Sequence, residues 1–390
     1  MLKILCDYCH HELKSAVYEP LHSRRGASIY KCANCGLVQT KYAPVDNRVE
    51  KKKAISSDAD WGNVRHGKGI RFADAKTYLT PVLDQLRPAR VLDIGSNRGD
   101  FIKFALDKSY INKIVAVEPD LSLMSEYELF AGNEKLEILW DRFEDCKPAE
   151  QFDFIYSCQT LEHAASAKAM LEQSYRLLTD NGLMYIEVPN IRILSDPRGV
   201  EEFFIDKHTF HFDPQVLINM ATSCGFSVTK DFGTDYLNIK ILFVKNRPAS
   251  NPIACADDSV DDLITKYPAI LEHNRELLAN LVETRLRPLA KRQKVAYWGA
   301  NRIFDALVKY GGLSSEDVYM LVDTYMFGKL NASSGFCIEQ PDYLRVKEPQ
   351  VCVVLARSSE EVIASLAYDM GVRHVLKYSE LIDQVSLGLQ

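Results

Sequence analysis

Arg90-Val91-Leu92-Asp93-Ile94-Gly95-Ser96-Asn97-Arg98-Gly99-Asp100 decides the fold. An apolar strand ends in a turn with glycines at 95 and 99, and a helical pattern follows over 100–108. The turn reads D-x-G-x-x-x-G. It is not the G-x-G-x-x-G that lets a backbone approach a pyrophosphate. Glycines at these places let the main chain press against a ligand and let helix and strand pack closely. Downstream, 114–118, 136–140, 152–156 and 183–188 read as further strands, with a helical stretch over 167–178. Strand–helix alternation of this kind calls for a parallel sheet covered on both faces.

Such sheets bind ligands at the carboxyl ends of their strands, and the residues there suit one kind of ligand. Glu118 ends the second strand, 19 residues after Gly99, where a carboxylate can accept both hydroxyls of a ribose. Asp141 follows the third strand, placed for an adenine amino group, with Arg142 or Phe143 flanking the ring. Gln159 follows the fourth strand. Asp93 suits an ammonium, and the helix start beyond Gly99 suits a carboxylate. With Ser96, Asn97 and Pro119, these residues fit an adenosine that carries no phosphate but has an amino-acid tail and a positively charged sulfur.

The 390 residues are 47% hydrophobic and 26% charged, with a net charge of −6. That composition supports two or three domains with their own cores. It gives no broad basic surface for nucleic acid. No apolar run approaches the ~20 residues of a membrane helix, and Met1–Cys6 is too short for a secretory signal. A cytosolic, cytoplasmic protein is the expectation.

Four of the ten cysteines form two CxxC pairs, Cys6/Cys9 and Cys32/Cys35, with 22 residues between. Two such knuckles can close a tetrahedral thiolate site for structural zinc, leaving no open position for catalysis. His10, His11 and His22 are substitutes the site does not need. The other six cysteines are scattered singly and read as small buried hydrophobes. Residues 1–53 carry five more basic than acidic side chains before thiolates and metal contribute −2.

A Pro/Ser/Asn-rich break follows at 246–256, then an amphipathic helix with Val260, Leu263, Tyr267, Ile270, Leu277, Leu281 and Leu289, which Pro268 should kink or split. A second strand–helix pattern comes last: strands at 294–298, 318–322, 350–356 and 373–377, helices at 303–310 and 359–370. Gly299-Ala300-Asn301-Arg302 lacks a G-x-G-x-x-G turn, so no second dinucleotide is expected despite Asp323. Asn301, Arg302 and Lys329 are candidates to meet phosphates, and a structural role is the alternative. The expected division is a zinc module over 1–55, a central domain over 56–247, a linker and helix over 248–292, and a last α/β domain over 293–390.

The stretches Val91–Gly99, Val117-Glu118-Pro119, FDFIYSCQTLEH ending at His163 and LLTDNGLMYIEVPN ending at Asn190 resemble class I S-adenosylmethionine-dependent methyltransferases. The whole chain is similar to the three-part sugar C-methyltransferases, with a four-cysteine zinc module, a methyltransferase core and a Rossmann-like carboxy-terminal domain. Cys32-Ala33-Asn34-Cys35-Gly36-Leu37-Val38-Gln39, Tyr297-Trp298-Gly299-Ala300 and Leu321-Val322-Asp323 carry that wider likeness. The resemblance implies an enzyme whose donor is S-adenosylmethionine and whose acceptor is a nucleotide-linked keto-deoxysugar. It also implies catalysis by a Glu-His pair after the fifth strand. Here His208 matches, but Lys207 stands where the glutamate should be. His208 and His211 are the candidate bases, and Lys207 can stabilise an enolate or a phosphate. Glu162-His163 recurs among such enzymes, with His163 read as loop support. The segment 58–67 offers Trp61 and His66 where the family has a tyrosine. An O- or N-methyltransferase acting on a sugar or a related phosphorylated metabolite remains open. So do a zinc-ribbon RNA enzyme, which the net charge disfavours, and a non-catalytic cofactor-binding scaffold.

Overall fold

The computed structural model describes residues 3–20, 23, 25–42, 70–196, 199–200, 202–233, 237–246, 258–324, 326–328 and 335–387. His22, the segment 58–67 with Trp61 and His66, most of the 246–256 break and Lys329 lie outside them. Two compact units emerge. One holds the described residues up to 194 together with 203–265, and the other holds 195–202 and the chain from 266 onward.

The first unit contains two sheets. Strands β1 (Ala27–Lys31) and β2 (Val38–Tyr42) form a hairpin whose second strand pairs with the two-residue β8 (Phe210–His211). The large sheet runs β5-β4-β3-β6-β7-β10-β9. Its strands are β3 (Arg90–Ile94), β4 (Lys113–Val117), β5 (Leu136–Leu139), β6 (Phe152–Cys158), β7 (Leu178–Pro189), β9 (Phe226–Asp231) and β10 (Asn238–Lys245). The first five are parallel, and β10 is inserted antiparallel between β7 and β9. The sequence pattern marks the five parallel strands and does not mark the hairpin, β8, β9 or β10.

Neighbouring residues along β3 and β6 point to opposite faces, and both faces are apolar because both are covered. Leu92, Ile94 and Ile155 pack with helices α3 (Ala167–Leu177) and α4 (Pro214–Ser223). Val91, Phe154 and Tyr156 pack with α1 (Ile70–Leu86) and α2 (Asp100–Leu106). The first of these cores also contains Cys6, Tyr8, Leu13, Cys32, Cys35 and Leu37. The cysteine knuckles are thus part of the core of the large sheet, and the Tyr8 hydroxyl donates to the Asn219 carbonyl of α4 at 2.9 Å.

Helix α5 (Asp258–Leu281) runs past Pro268 without the expected split. Pro268 lies on the exposed side of the helix. The buried stripe is Val260, Ile264, Tyr267, Leu271, Leu278 and Leu281; the expected Val260, Tyr267 and Leu281 lie on it, and Leu263, Ile270 and Leu277 are half-buried at its border.

The second unit is a five-stranded parallel sheet in the order β13-β12-β11-β14-β15. These strands are β11 (Val295–Trp298), β12 (Met320–Val322), β13 (Ile338–Glu339), β14 (Val351–Val354) and β15 (His374–Lys377). Helices α6 (Arg302–Lys309), α7 (Tyr343–Lys347), α8 (Glu360–Asp369) and α9 (Tyr378–Ser386) connect or follow them. This is the expected second Rossmann-like domain. Asn301 caps α6, its side chain accepting from the Ile303 and Phe304 amides at 2.9 and 3.3 Å. Asp323 accepts from the Ala300 and Met326 amides, each at 3.0 Å. Both side chains therefore hold the turns after β11 and β12 in shape.

Candidate functional site

Strand β3 delivers Asp93 to the centre of the large sheet, where the residue is only 1% exposed. Neither of its carboxyl oxygens has a hydrogen-bond partner among the described residues. Burial first, then the charges of Glu118 and Asp100, raise its pKa well above the ordinary carboxylate value. A buried carboxyl left in this state calls for a cationic or hydrogen-donating partner.

The turn that follows is wound tightly. Gly95 and Gly99 each have φ +75°, and Asn97 has φ 50°. A Cβ on Gly95 would stand 2.2 Å from the Thr160 hydroxyl oxygen, and one on Gly99 would stand 2.6 Å from the Phe130 ring. The glycines thus let the turn pack against its protein neighbours. Ser96 is buried, and its hydroxyl and that of Tyr127 are 2.7 Å apart.

Glu118 lies just past β4 and spans the turn. Its carboxylate accepts from the Asn97 amide at 2.7 Å and, across Pro119, from the Asp120 amide at 2.9 Å. Burial pushes its pKa up to about 7 although these amides pull it down. Two amide donors leave the carboxylate oxygens further lone pairs for hydroxyl groups. Beyond β5, Asp141 is exposed and accepts from the Arg142 amide at 2.9 Å. The Arg142 guanidinium donates to the His163 carbonyl at 3.2 Å. Phe143 is buried in the core, while Trp140, half-buried with its ring centroid 5.0 Å from that of Tyr127, is the aromatic nearer the surface. Gln159 has φ 53° and donates from its side chain to Asn238 at 3.0 Å.

After the fourth and fifth parallel strands lies a cluster of imidazoles. The rings of His163 and His208 meet edge to face with centroids 4.9 Å apart, and His211 lies 6.4 Å beyond His208. Glu162 is buried, and its carboxylate stands 3.7 Å from His163 Nε2. One ligating atom from each of Glu162, His163 and His208 falls within 4.8 Å of the others. A carbonyl can only accept, so the 3.0 Å contact between His163 Nδ1 and the Lys207 carbonyl makes Nδ1 the donor. Lys207 thereby contributes its backbone to the cluster.

The small sheet holds this loop. Thr40 on β2 donates from its hydroxyl to the His208 carbonyl at 2.9 Å, and that hydroxyl oxygen is 2.8 Å from His211 Nε2. The Ser23 hydroxyl donates to Asp206 at 2.5 Å, and the Tyr42 hydroxyl bonds the Asp206 carbonyl. His211 is fully buried, and desolvation drops its pKa to about 3, so the ring is neutral. Sequence reasoning passed over Thr40, Thr160, Tyr127 and Trp140, and undervalued Glu162. Only the spacing of Glu162-His163 after β6 could have signalled one of them.

The four cysteine sulfurs lie within 4.8 Å of one another. Cys6–Cys35 and Cys9–Cys32 are each separated by 3.5 Å. A tetrahedron with ~2.3 Å metal–sulfur bonds has edges of roughly 3.8 Å, so this donor set fits a thiophilic divalent ion.

Residues 68–231 match the family model described as a methyltransferase domain. No curated protein matches the chain. Among solved structures it is similar to an S-adenosylmethionine-dependent methyltransferase from Clostridium acetobutylicum ATCC 824, with 11% identity, 46% of this chain and 95% of that one covered, and a TM-score of 0.40. It is also similar to a 1,6-didemethyltoxoflavin-N1-methyltransferase from Burkholderia thailandensis, with 16% identity, 59% and 100% covered, and a TM-score of 0.41. A third is the N-methyltransferase NodS from Bradyrhizobium japonicum WM9, with 12% identity, 51% and 99% covered, and a TM-score of 0.38. Residues 68–231 are thus a methyltransferase domain, and the protein is an enzyme.

Proposed function

We propose that this methyltransferase acts on a nucleotide-linked keto-deoxysugar, placing the methyl group on carbon, with zinc at the four cysteines as a structural ion. The observation that carries the donor half is the buried carboxyl of Asp93, with no partner for either oxygen among the described residues. S-adenosylmethionine supplies an electrophilic methyl group on a positively charged sulfur. Asp93 suits its ammonium, and the Glu118 carboxylate accepts from ribose hydroxyls. Ser96, Asn97, Gly99 and Pro119 shape the wall between them. Asp141 and Arg142 stand at the adenine end, with Gln159 over the carboxyl edge of the sheet.

The acceptor half rests on the histidine cluster. A carbon beside a keto group gives up its proton only to a well-placed base, and an imidazole is half-neutral near pH 6.5. His208 is the group proposed for this, since it is only half-buried while His211 is closed off and neutral. Lys207 favours a second reading, O- or N-methylation of a sugar or related phosphorylated metabolite, because an ammonium beside His208 does not duplicate a carboxylate base.

Two experiments test the two halves. Calorimetry with S-adenosylhomocysteine should show binding that weakens at least tenfold in Asp93→Asn. Candidate nucleotide-linked keto sugars in deuterated water should then exchange their acidic carbon-bound hydrogen, and His208→Ala should abolish that exchange. Unchanged affinity in Asp93→Asn removes that residue from the donor site. An O- or N-methylated product, or exchange that survives in His208→Ala, moves the assignment to the second reading.

A further inference from the structure

Resting on the proposed use of His208 as base, we propose that Glu162 is its remote carboxylate partner, a positioning residue that raises the proton affinity of the His163–His208 pair. Three observations carry this. First, residue 207 is a lysine, so no carboxylate immediately precedes His208 in the chain, and a countercharge for its imidazolium must come from elsewhere. Second, Glu162 stands 3.7 Å from His163 Nε2, with a ligating atom of His208 inside the same 4.8 Å group. Third, His163 Nδ1 donates to the Lys207 carbonyl, which fixes the ring's orientation and turns Nε2 toward Glu162. The loop bearing the base and the turn bearing the carboxylate are further tied by the Thr209 amide, which donates to the Glu162 carbonyl at 2.8 Å.

In chemical terms, the acceptor's proton passes to His208, whose new positive charge sits beside His163 and the anionic Glu162. An opposite charge within ~4–6 Å favours the charged form, typically by about one to three pH units for a partly buried pair. Other charged groups bear on the cluster. The Arg142 guanidinium on the His163 carbonyl opposes imidazolium formation, the Asp206 carboxylate accepts from the Ser23 hydroxyl, Lys207 meets His163 through its backbone carbonyl, and buried His211 stays neutral. Glu162 is the anion whose carboxylate stands against the His163 ring.

The test is a carbon-13 NMR titration of the histidine-labelled full chain, with His163 and His208 assigned by substitution. In Glu162→Gln the midpoints of both should fall, that of His163 by about one unit or more. In Glu162→Gln/Lys207→Glu that of His208 should recover at least half its loss. A change under about 0.3 units in Glu162→Gln, or no recovery in the double variant, overturns the proposal. Calorimetry with S-adenosylhomocysteine on the same variants separates causes. Retained affinity shows an intact fold, and loss of binding in the wild-type chain would instead overturn the methyltransferase reading.

Discussion

The two sides of the proposed site, donor and acceptor, are assembled in opposite ways. The donor side comes from one short run of chain: Asp93, the turn to Gly99, and Glu118 on the adjacent strand, joined by the Asn97 amide at 2.7 Å. The acceptor side converges from three remote segments, with Thr40 on β2, Glu162-His163 after β6, and the loop from Asp206 to His211. The donor side is rigid because strand pairing and a tightly packed turn fix it. On the acceptor side Glu162-His163 follows β6 of the large sheet, while the 206–211 loop is held by the small sheet through Thr40, Tyr42 and β8. One half is thus built on the large sheet alone and the other on both sheets.

Removing the proposed zinc should break the comparison most visibly. A structural four-cysteine site holds on the order of 10 kcal/mol of binding free energy that is also folding free energy. Chelation should therefore release the amides of β1, β2 and the 205–211 loop to rapid hydrogen exchange. Those of β3, β4 and β6 should stay protected, and metal analysis of the untreated chain should give one zinc per chain from this site. If the 205–211 loop keeps its protection after the metal is gone, the acceptor side does not depend on the knuckles.

The donor side offers a smaller, pH-dependent effect. Glu118 is raised to about 7 from an ordinary 4.5 by burial. Between those values the folded, ligand-free chain binds more protons than the unfolded one, so its stability falls as pH rises through this window. Ribose hydroxyls need an acceptor and favour the ionised form. S-adenosylhomocysteine should therefore bind more weakly as pH falls below about 7, by up to about tenfold per unit. Binding near pH 7 should release a fraction of a proton, read by calorimetry in buffers of different ionisation enthalpy. Glu118→Gln should reduce that release, the remainder coming from Asp93, whose buried carboxyl ionises against the ammonium. An undiminished release would assign the proton to another group.

This contrast also explains what could be read from sequence. The donor side was legible because strand, turn and carboxylate follow one another with the periodicity of the chain itself. Even there, Gly95 carried a message that was only half readable. The pattern showed that the main chain must make a close approach at Gly95, whereas its φ of +75° and the neighbour it avoids, Thr160, far away in sequence, come only from the fold. β8 is two residues long, and β9 and β10 lack a tight hairpin signal, so tertiary pairing alone defines them. Thr40 was invisible for the same reason. Its neighbours Val38-Gln39-Thr40 look like any edge strand until β8 comes to lie beside them.

Thr40 provides the finest test, because its hydroxyl serves the acceptor side alone. It donates to the His208 carbonyl at 2.9 Å, and its oxygen takes the Nε2 proton of His211 at 2.8 Å. That second role follows from burial, which keeps His211 neutral, with Nδ1 lacking a partner among the described residues. Thr40→Val keeps the shape and removes both bonds, so a buried N–H and a carbonyl lose their partner, at about 1–3 kcal/mol in denaturant unfolding. Thr40→Ser keeps the hydroxyl and should recover most of that loss. In Thr40→Val the His208 amide should exchange faster and the imidazole signals of the cluster should shift, while the affinity for S-adenosylhomocysteine stays within about twofold. A parallel fall in that affinity would show that the two sides are mechanically coupled, and that the acceptor loop cannot vary without the glycine turn following it.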